Sequence, residues 1–371
     1  MKRINVMLKP ASSLCNLRCK YCFYHDVAAS RQMASMGIME REAASVVVKN
    51  IYASLAPGDE LIFSFQGGEP GLAGLDFFEF FVNEAKKIAP QGIKTSYSMQ
   101  TNGLMIDKNW CEFFIENQFL IGLSLDGDAM LHQNRLDSNG KSTFNRVMTA
   151  KKLLDTYQVP YNILCVLTTE TSRRAAKLWN FIKKERIKYI QFIPCLESLS
   201  NDTLNSYALT GNKFFEFYST LFPLWQREAE SGNLVNIRLF DDISSLYLSG
   251  SAATCGISGR CYPQIVVESD GSVYPCDFYV LDEYKVADLT KQTLREAFET
   301  MVKSDFFAKP TEKNTACEGC TYYSWCQGGC KRMAKAVYGN NCGMKLFLDK
   351  HLNDLLISAR IPSLAAQNLF P

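Results

Sequence analysis

The chain has 371 residues, enough for two or three domains or for one large barrel with an appendage. Its 40 Lys and Arg residues against 38 Asp and Glu give a formal charge of +2, which excludes a general preference for nucleic acid or anionic membranes. The apolar part of the N-terminus is too short for a secretory signal, and no run of about eighteen apolar residues predicts a transmembrane helix. We therefore expect a cytoplasmic protein, with neither nucleic acid nor membrane as a partner.

Short strand patterns alternate with amphipathic helix patterns in the first half of the chain. The predicted strands are INVMLK (4–9), ELIFSF (60–65), KTSYSMQ (94–100), FLIGLSL (119–125), YNILCVL (161–167) and YIQFIPC (189–195). The helices predicted between them lie near 40–54, 75–88, 107–117, 142–156 and 172–184. Apolar strands that are each followed by a helix favour a parallel sheet covered on both faces. Six such units predict an α/β fold with an open or partial barrel, whose active site lies at the carboxyl ends of the strands.

The second half of the chain has a different character. The segment QIVVESDGSVYPC (264–276) alternates apolar and polar residues around an Asp270-Gly271 turn, which predicts a β-hairpin. Residues 313–342 carry five cysteines and little apolar periodicity, so metal ligation would have to supply their stability. We expect a barrel with its following helix at 1–235, a cysteine-rich domain at 236–342, and a C-terminal helix and tail at 343–371.

Fourteen cysteines in a cytoplasmic chain indicate metal binding or catalysis, because reducing conditions keep disulfides rare. Three of them lie in apolar segments and are expected to be buried packing residues, namely Cys111, Cys165 and Cys195. Three others have the spacing C-x3-C-x2-C in the loop after the first strand: Cys15, Cys19 and Cys22. Three thiolates would leave one iron of a 4Fe-4S cluster open to a ligand from outside the protein. On spacing alone, a zinc site with a distant fourth ligand is an alternative.

This motif, with the aromatic residues of CKYCFYH around it, resembles the signature of the radical S-adenosylmethionine (SAM) superfamily. The resemblance implies a 4Fe-4S cluster on the three cysteines and SAM on the open iron. Reductive cleavage of SAM would give a 5'-deoxyadenosyl radical that abstracts a substrate hydrogen. The resemblance also implies SAM contacts at Tyr24, Gly67, Gly68, Glu69, Pro70, Ser124, Asp126 and Leu196. Turn formation, helix capping or packing would explain each of these residues separately.

Eight further cysteines make two sets of four: Cys255, Cys261, Cys276, Cys317, Cys320, Cys326, Cys330 and Cys342. The stretch CEGCTYYSWCQGGC alone also fits half of a zinc ribbon. Together with SDGSVYPCDF, it resembles the SPASM extension of radical SAM enzymes that modify peptides. The resemblance implies two auxiliary 4Fe-4S clusters, one on Cys255, Cys261, Cys276 and Cys330 and the other on Cys317, Cys320, Cys326 and Cys342.

Motifs over nearly the whole chain are similar to those of the anaerobic sulfatase-maturating enzymes, including MLKPASS, FQGGEP, MQTNG and VVESDGSVYPCDFYVLD. The resemblance implies an oxidoreductase that works without oxygen on an unfolded or nascent sulfatase. It would convert the Cys or Ser of a C-x-P-x-R or S-x-P-x-R segment to Cα-formylglycine. The radical would take a hydrogen from the target Cβ, a base would take the thiol or hydroxyl proton, and an electron would pass to an auxiliary cluster. A flavodoxin or ferredoxin is the expected electron donor.

Asp277, directly after Cys276, is the base that this resemblance implies. A turn-capping Asp is the alternative. Polar residues at strand ends are candidates for binding the substrate peptide, although they would also satisfy loop amides: Gln66, Gln100 and Asn102. Arg135 is a candidate for binding either the substrate or SAM, and surface exposure is the alternative. The histidines show no pattern of metal ligands.

Two other functions remain open from the sequence. A SPASM enzyme that forms a thioether or carbon–carbon crosslink in a ribosomal peptide would use the same cofactors. Such enzymes often carry an N-terminal leader-binding domain, for which we expect no room because the first strand begins near residue 4. A zinc-binding interaction protein would use the cysteine block without catalysis.

Overall fold

The computed structural model describes residues 2–199, 206–308 and 314–359. Its strands are β1 (Arg3–Leu8), β2 (Glu60–Phe65), β3 (Lys94–Thr101), β4 (Phe119–Ser124), β5 (Tyr161–Leu167), β6 (Tyr189–Pro194), β7 (Asn236–Ile237), β8 (Ile265–Val267), β9 (Ser272–Tyr274) and β10 (Ala287–Asp288). Its helices are α1 (Phe23–Ala29), α2 (Arg41–Tyr52), α3 (Leu75–Ile88), α4 (Lys108–Glu116), α5 (Phe144–Thr156), α6 (Thr169–Ser172), α7 (Ala175–Lys184), α8 (Gly211–Glu230), α9 (Arg238–Ser249), α10 (Leu294–Val302), α11 (Asp305–Ala308), α12 (Tyr323–Cys326) and α13 (Gly343–Ala359).

The six strands predicted for the first half of the chain are confirmed as β1 to β6, and the five helices as α2, α3, α4, α5 and α7. The last of these helices begins at Ala175 rather than 172, because the chain first makes the separate turn α6. Helix α1 was not predicted. With seven residues and a buried side of only Val27 and Ala28, it is too short to show a helical period in the sequence.

The described residues form two compact units, each discontinuous in sequence. One comprises those within Met1–Ser124, Gln133–Tyr161 and Pro263–Pro310, and the other those within Leu125–His132, Asn162–Tyr262 and Thr311–Pro371. The predicted domains are continuous segments, so this division by contacts does not test them and their boundaries stay a prediction. The predicted tail at 360–371 lies outside the described residues.

The first unit has the strand order β10-β9-β8-β1-β2-β3-β4. Strands β8, β1, β2, β3 and β4 run parallel, whereas β9 and β10 are antiparallel to their neighbours. The hairpin predicted at 264–276 is confirmed as β8 and β9, and β8 pairs directly with β1. This pairing places the segment that begins at Cys276 beside the N-terminal strand, so α1 packs against the turn at Asp277–Tyr279.

Buried aromatic rings fill the space between the strands and helices of the first unit. Phe63 and Phe65 on β2 are almost fully buried and meet Phe81 of α3 edge-on, at ring-centroid distances of 5.0 and 5.1 Å. Phe119 on β4 stacks on Tyr97 of β3 at 5.1 Å. Burying each of these rings stabilises the fold by roughly 1.5–3 kcal/mol, and the edge-on geometry adds to that.

The second unit contains the parallel strands β5-β6-β7, with α8 packed against α7 and α13. Its core is a second aromatic cluster that includes Tyr218, Phe222, Phe240 and Phe347. Cys165 and Cys195 are buried here, and Cys111 is buried in the first unit, so the prediction that they are packing residues is confirmed. Among the described residues, no helix has the length and apolar character needed to span a bilayer.

A buried ion pair connects the segment after α1 to the hairpin of the first unit. Arg31 Nη1 lies 2.7 Å from Glu268 Oε1, and both side chains are at most 2% exposed. The Nε atom of Arg31 and the Oε2 atom of Glu268 have no hydrogen-bond partner. Removing one partner would leave the other charge buried and unpaired, which costs far more than a surface pair contributes.

We expect Arg31→Met to lower the free energy of unfolding by about 3–5 kcal/mol, because it leaves the Glu268 carboxylate uncompensated. Urea denaturation of anaerobically purified protein measures the change. The exposed Lys87→Met variant is the control and should unfold like the wild type. The double variant Arg31→Met/Glu268→Leu should recover most of the loss, and an Arg31→Met variant as stable as the control would contradict this account.

Candidate active site

The three-cysteine loop is fixed by hydrogen bonds to the loop that follows β2. The amide of Gly68 donates to the carbonyl oxygen of Ser12 at 2.9 Å, and the amide of Glu69 donates to that of Leu14 at 2.7 Å. A Cβ on Gly68 would lie 2.1 Å from the Leu14 oxygen, closer than any side chain permits. Glycine at this position therefore allows the two main chains to meet.

The Glu69 carboxylate joins the loop after β2 to the end of β3. Its Oε1 accepts hydrogen bonds from the Gly71 amide at 3.0 Å and the Thr101 hydroxyl at 2.8 Å, and its Oε2 accepts one from the Asn102 amide at 2.7 Å. The side chain is 1% exposed. Burial raises the pKa of Glu69 and the three donors oppose that rise. This buried glutamate thus connects the loop after β2 to the end of β3 through its hydrogen bonds.

Cys15 lies at the meeting point of these loops. Its sulfur accepts a hydrogen bond from the Leu17 amide at 3.3 Å, and Asn102 Nδ2 lies 3.9 Å away while donating to Asn16 Oδ1 at 2.8 Å. Burial raises the pKa of the Cys15 thiol to about 11, and Glu69 adds to the rise. Asn102 was predicted to bind the substrate peptide, but in the structure its side chain contacts the cysteine loop.

Arg135, also predicted as a peptide contact, is buried beside the same loop. Its guanidinium carbon lies 5.6 Å from the centre of the Tyr21 ring, between Cys19 and Cys22 in sequence. The other two predicted peptide contacts, Gln66 and Gln100, hydrogen-bond to each other at adjacent strand ends. Of the predicted SAM contacts, Ser124 and Leu196 are buried, and Asp126 accepts a hydrogen bond from the Val166 amide at 2.9 Å.

Asp277 is buried against Tyr24 and Lys9. The Tyr24 hydroxyl donates to Asp277 Oδ2 at 2.6 Å, and Lys9 Nζ lies 2.8 Å from Oδ1. Oδ1 is buried, and the Lys9 ammonium is the charged group that faces it. Burial, followed by the charge of Asp277, raises the pKa of Tyr24 well above its usual value. The tyrosine therefore stays protonated and donates to the carboxylate.

Lys9 is the functional candidate that sequence reasoning missed. It is 2% exposed and follows β1 directly, in the segment MLKPASS. The available signal was a charged residue at the carboxyl end of an apolar strand in a parallel sheet, the position where such folds place their active-site residues. Its partner Asp277 lies 268 positions further along the chain, so only the fold brings the two together.

Seven of the eight distal cysteines belong to the second unit and fall into two neighbourhoods. Burial raises the pKa of Cys326 to about 11, and the charges of Cys342, Cys317 and Cys320 add to the rise. Burial also raises the pKa of Cys255 to about 11, with further contributions from Cys330 and Cys261. Ligation of clusters by the two complete sets of four stays a prediction. The eighth cysteine, Cys276, lies in the first unit beside Asp277.

Tyr338 lies close to both neighbourhoods. It is buried, its hydroxyl donates to the Gly256 carbonyl at 3.3 Å, and burial, followed by the charges of Cys326, Cys330 and Cys342, raises its pKa well above the usual value. A Cβ on Gly329 would lie 2.1 Å from the Tyr338 ring, so a glycine is required in the sequence QGGC. The tyrosine thereby packs between the two groups of thiols.

The donor chemistry fits iron-sulfur clusters. Each group consists of thiols whose negative charges would repel one another, so their thiolate forms need a positively charged centre. Within residues 2–199, 206–308 and 314–359, no three His, Cys, Asp or Glu side chains are arranged to hold a single metal ion.

Comparison with known proteins agrees with this chemistry. A family model described as the radical SAM superfamily matches residues 10–182, and one described as an iron-sulfur cluster-binding domain matches residues 258–321. A cysteine-type anaerobic sulfatase-maturating enzyme of Clostridium novyi is 40% identical over 97% of this chain and 98% of its own length. A serine-type anaerobic sulfatase-maturating enzyme of Klebsiella aerogenes is 32% identical over 91% of this chain and 82% of its own.

The fold is also similar to that of a solved structure, native anSMEcpe with bound AdoMet and Cp18Cys peptide. The two superimpose with a TM-score of 0.87 at 38% identity, over 96% of this chain and 99% of that chain. The predicted fold class, a radical SAM partial barrel with a SPASM domain, is confirmed, as is the prediction of an enzyme that uses SAM and iron-sulfur clusters. The chain belongs to the anaerobic sulfatase-maturating enzymes of the radical SAM superfamily.

Proposed function

We propose that this enzyme oxidises the cysteine of a sulfatase C-x-P-x-R segment to Cα-formylglycine without oxygen. The observation that carries the proposal is Asp277, a buried carboxylate that contacts Tyr24 beside the three-cysteine loop and directly follows Cys276. The identity of 40% to the cysteine-type relative against 32% to the serine-type relative supports cysteine as the preferred target.

In this proposal Cys15, Cys19 and Cys22 hold the cluster that binds SAM. When bound, the cluster and SAM supply the 5'-deoxyadenosyl radical that removes a hydrogen atom from the target Cβ. Asp277 receives the thiol proton, for which it must come within hydrogen-bonding distance of the sulfur. The remaining electron would pass to an auxiliary cluster, so the target side chain loses one hydrogen atom, one proton and one electron in total, which leaves a thioaldehyde. Water converts the thioaldehyde to the aldehyde and releases hydrogen sulfide, so no oxygen is consumed.

The SAM contacts in this proposal are those that the resemblance implies: Tyr24, Gly67, Gly68, Glu69, Pro70, Ser124, Asp126 and Leu196. Glu69 acts there by holding its loop in place, since its carboxylate already accepts three internal hydrogen bonds. We keep Gln66 and Gln100 as candidates for binding the peptide. Asn102 and Arg135 stay candidates as well, and their side chains also contact the loop that carries the three cysteines.

The remaining assignments complete the proposal. The substrate is an unfolded or nascent sulfatase, the electron donor is a flavodoxin or ferredoxin, and the enzyme is cytoplasmic. One auxiliary cluster takes Cys255, Cys261, Cys276 and Cys330, and the other takes Cys317, Cys320, Cys326 and Cys342. The domains span 1–235, 236–342 and 343–371, and the two family models match within the first and second of these.

A peptide assay tests the function. The reconstituted enzyme, given SAM, a reductant and a C-x-P-x-R peptide under anaerobic conditions, should form a product that reacts with carbonyl reagents. This product should be lighter than the peptide by the exchange of sulfur for oxygen and the loss of two hydrogens. The matched S-x-P-x-R peptide should react more slowly. A product that keeps its sulfur in a new thioether would indicate a crosslinking enzyme, and an unmodified peptide with SAM cleavage alone would count against both.

Iron analysis tests the cluster assignments. The wild type should contain about twelve irons per chain, and the triple variant Cys15→Ala/Cys19→Ala/Cys22→Ala about eight, with no SAM cleavage. Cys261→Ala and Cys320→Ala should each disturb one auxiliary cluster and lower the iron content, while SAM cleavage continues. Cys111→Ala, at a buried cysteine outside the sets, is the control and should keep all the iron. A colourless protein with two zinc ions would contradict the assignments.

The role of Asp277 predicts that Asp277→Asn continues to cleave SAM while formation of the aldehyde falls by about 100-fold or more, within the range usual for loss of a general base. Chromatography of 5'-deoxyadenosine and mass spectrometry of the peptide measure the two products. Asp282→Asn, an exposed aspartate five positions further on, is the control and should form aldehyde normally. Aldehyde formation at the wild-type rate in Asp277→Asn would remove Asp277 from the mechanism.

A further inference from the structure

Lys9 is a lysine almost wholly removed from water. Its side chain is 3% exposed, at the end of a strand whose inward residues Val6 and Leu8 are fully buried. An ammonium group in such surroundings is retained only where a negative group or a ring face compensates its charge. Lys9 has both kinds of partner.

The ammonium lies between the two groups that the proposed chemistry uses at this position. It is 2.8 Å from Asp277 Oδ1 and 4.6 Å from the centre of the Tyr24 ring. The Tyr24 hydroxyl bonds to the other oxygen, Oδ2, at 2.6 Å. The carboxylate is thus held at both oxygens by groups that arise from the chain before and after the three cysteines.

The stem of Lys9 is fixed as well. Its Cγ would lie 3.2 Å from a Cβ built on Gly67, so the methylene chain packs against the main chain of the loop after β2. Its amide donates to the Val267 carbonyl at 2.8 Å, and its carbonyl accepts from the Ser12 amide at 2.9 Å. The main chain of Lys9 is therefore held by Val267 of β8 and by Ser12, and its side chain is held by the loop that contains Gly67.

We infer that Lys9 is the positioning residue for Asp277: its ammonium, 2.8 Å from Oδ1, holds the carboxylate in a single orientation in which it receives the substrate proton. This inference rests on the proposed function, in which Asp277 is the base. Lys9 itself exchanges no proton or electron in the reaction. A small displacement of a reacting group lowers the reaction rate by up to about 100-fold. If the carboxylate rotated freely, proton removal by Asp277 would therefore be slower relative to hydrogen abstraction.

Loss of Lys9 should weaken the coupling of SAM cleavage to aldehyde formation, that is, raise the number of SAM molecules cleaved for each aldehyde formed. It should not lower both products equally. With Lys9→Met, which keeps a stem of similar length but removes the charge, each aldehyde formed should consume about 10-fold more SAM than in the wild type. The ratio of 5'-deoxyadenosine to aldehyde is the quantity to measure, because it does not depend on the fraction of enzyme that folds. Lys9→Arg keeps a cation within reach of Asp277 and should restore most of the coupling.

The experiment compares Lys9→Met, Lys9→Arg, Asp277→Asn and the exposed control Lys87→Met on the reconstituted full chain with a C-x-P-x-R peptide. Iron content and the KM for the peptide are measured beside the two products. Positioning predicts a lower kcat for aldehyde with an unchanged KM and unchanged iron. Wild-type coupling in Lys9→Met, with Asp277→Asn uncoupled, would overturn the inference and leave the proposed function standing.

Two other outcomes are equally decisive. If Asp277→Asn forms aldehyde as the wild type does, the assignment of the base fails, and the inference about Lys9 fails with it. If Lys9→Met loses iron and lowers both products in the same proportion, and Lys9→Arg does not restore coupling, Lys9 serves only to maintain the fold around the cysteine loop.

Discussion

The close approach of two main chains, at Gly68 and Leu14, is the contact on which the rest of the active site depends. Because a side chain at position 68 would collide with the Leu14 oxygen, the cysteine loop and the loop after β2 can share hydrogen bonds only with glycine there. Those bonds position Glu69 so that its carboxylate accepts a hydrogen bond from the Asn102 main-chain amide, at the end of β3. The side-chain amide of Asn102 in turn donates to Asn16 in the cysteine loop. The cysteine loop, which has little regular structure, is thereby positioned by three strand ends.

The pairing of two strands accounts for the position of Asp277, the proposed base. Asp277 follows a short hairpin rather than a barrel strand, and its place depends on the pairing of β8 with β1. That pairing brings a carboxylate from late in the chain to Lys9 and Tyr24 from its beginning. Burial strengthens the electrostatic interactions between these groups, and it also means that an unpaired charge there would destabilise the folded state. Lys9 therefore compensates the buried charge of Asp277, and in our proposal the same lysine orients that carboxylate.

Much of the fold could be predicted from the sequence, because its signals are local. The runs ELIFSF and YNILCVL are apolar enough to indicate buried strands, and both form at the residues predicted. The Asp270-Gly271 turn indicated the hairpin for the same reason. Helix α1 and the late start of α7 were missed, since seven residues or a single extra turn carry no measurable period. The sequence did not show that the side chains of Asn102 and Arg135 contact the loop that carries the three cysteines, because such contacts depend on the fold.

The sequence by itself determined the cofactor chemistry and the family, because the spacing of thiols within a loop and motifs such as GGEP are local patterns of neighbouring residues. Tertiary structure alone decided which of the distal thiols of the second unit are neighbours, since Cys342 groups with Cys317, Cys320 and Cys326 across the intervening Cys330. It alone also revealed Lys9, whose partner is 268 positions away. The physical reason is the same in both cases: charges interact through space, and distance along the chain carries no information about distance in the fold.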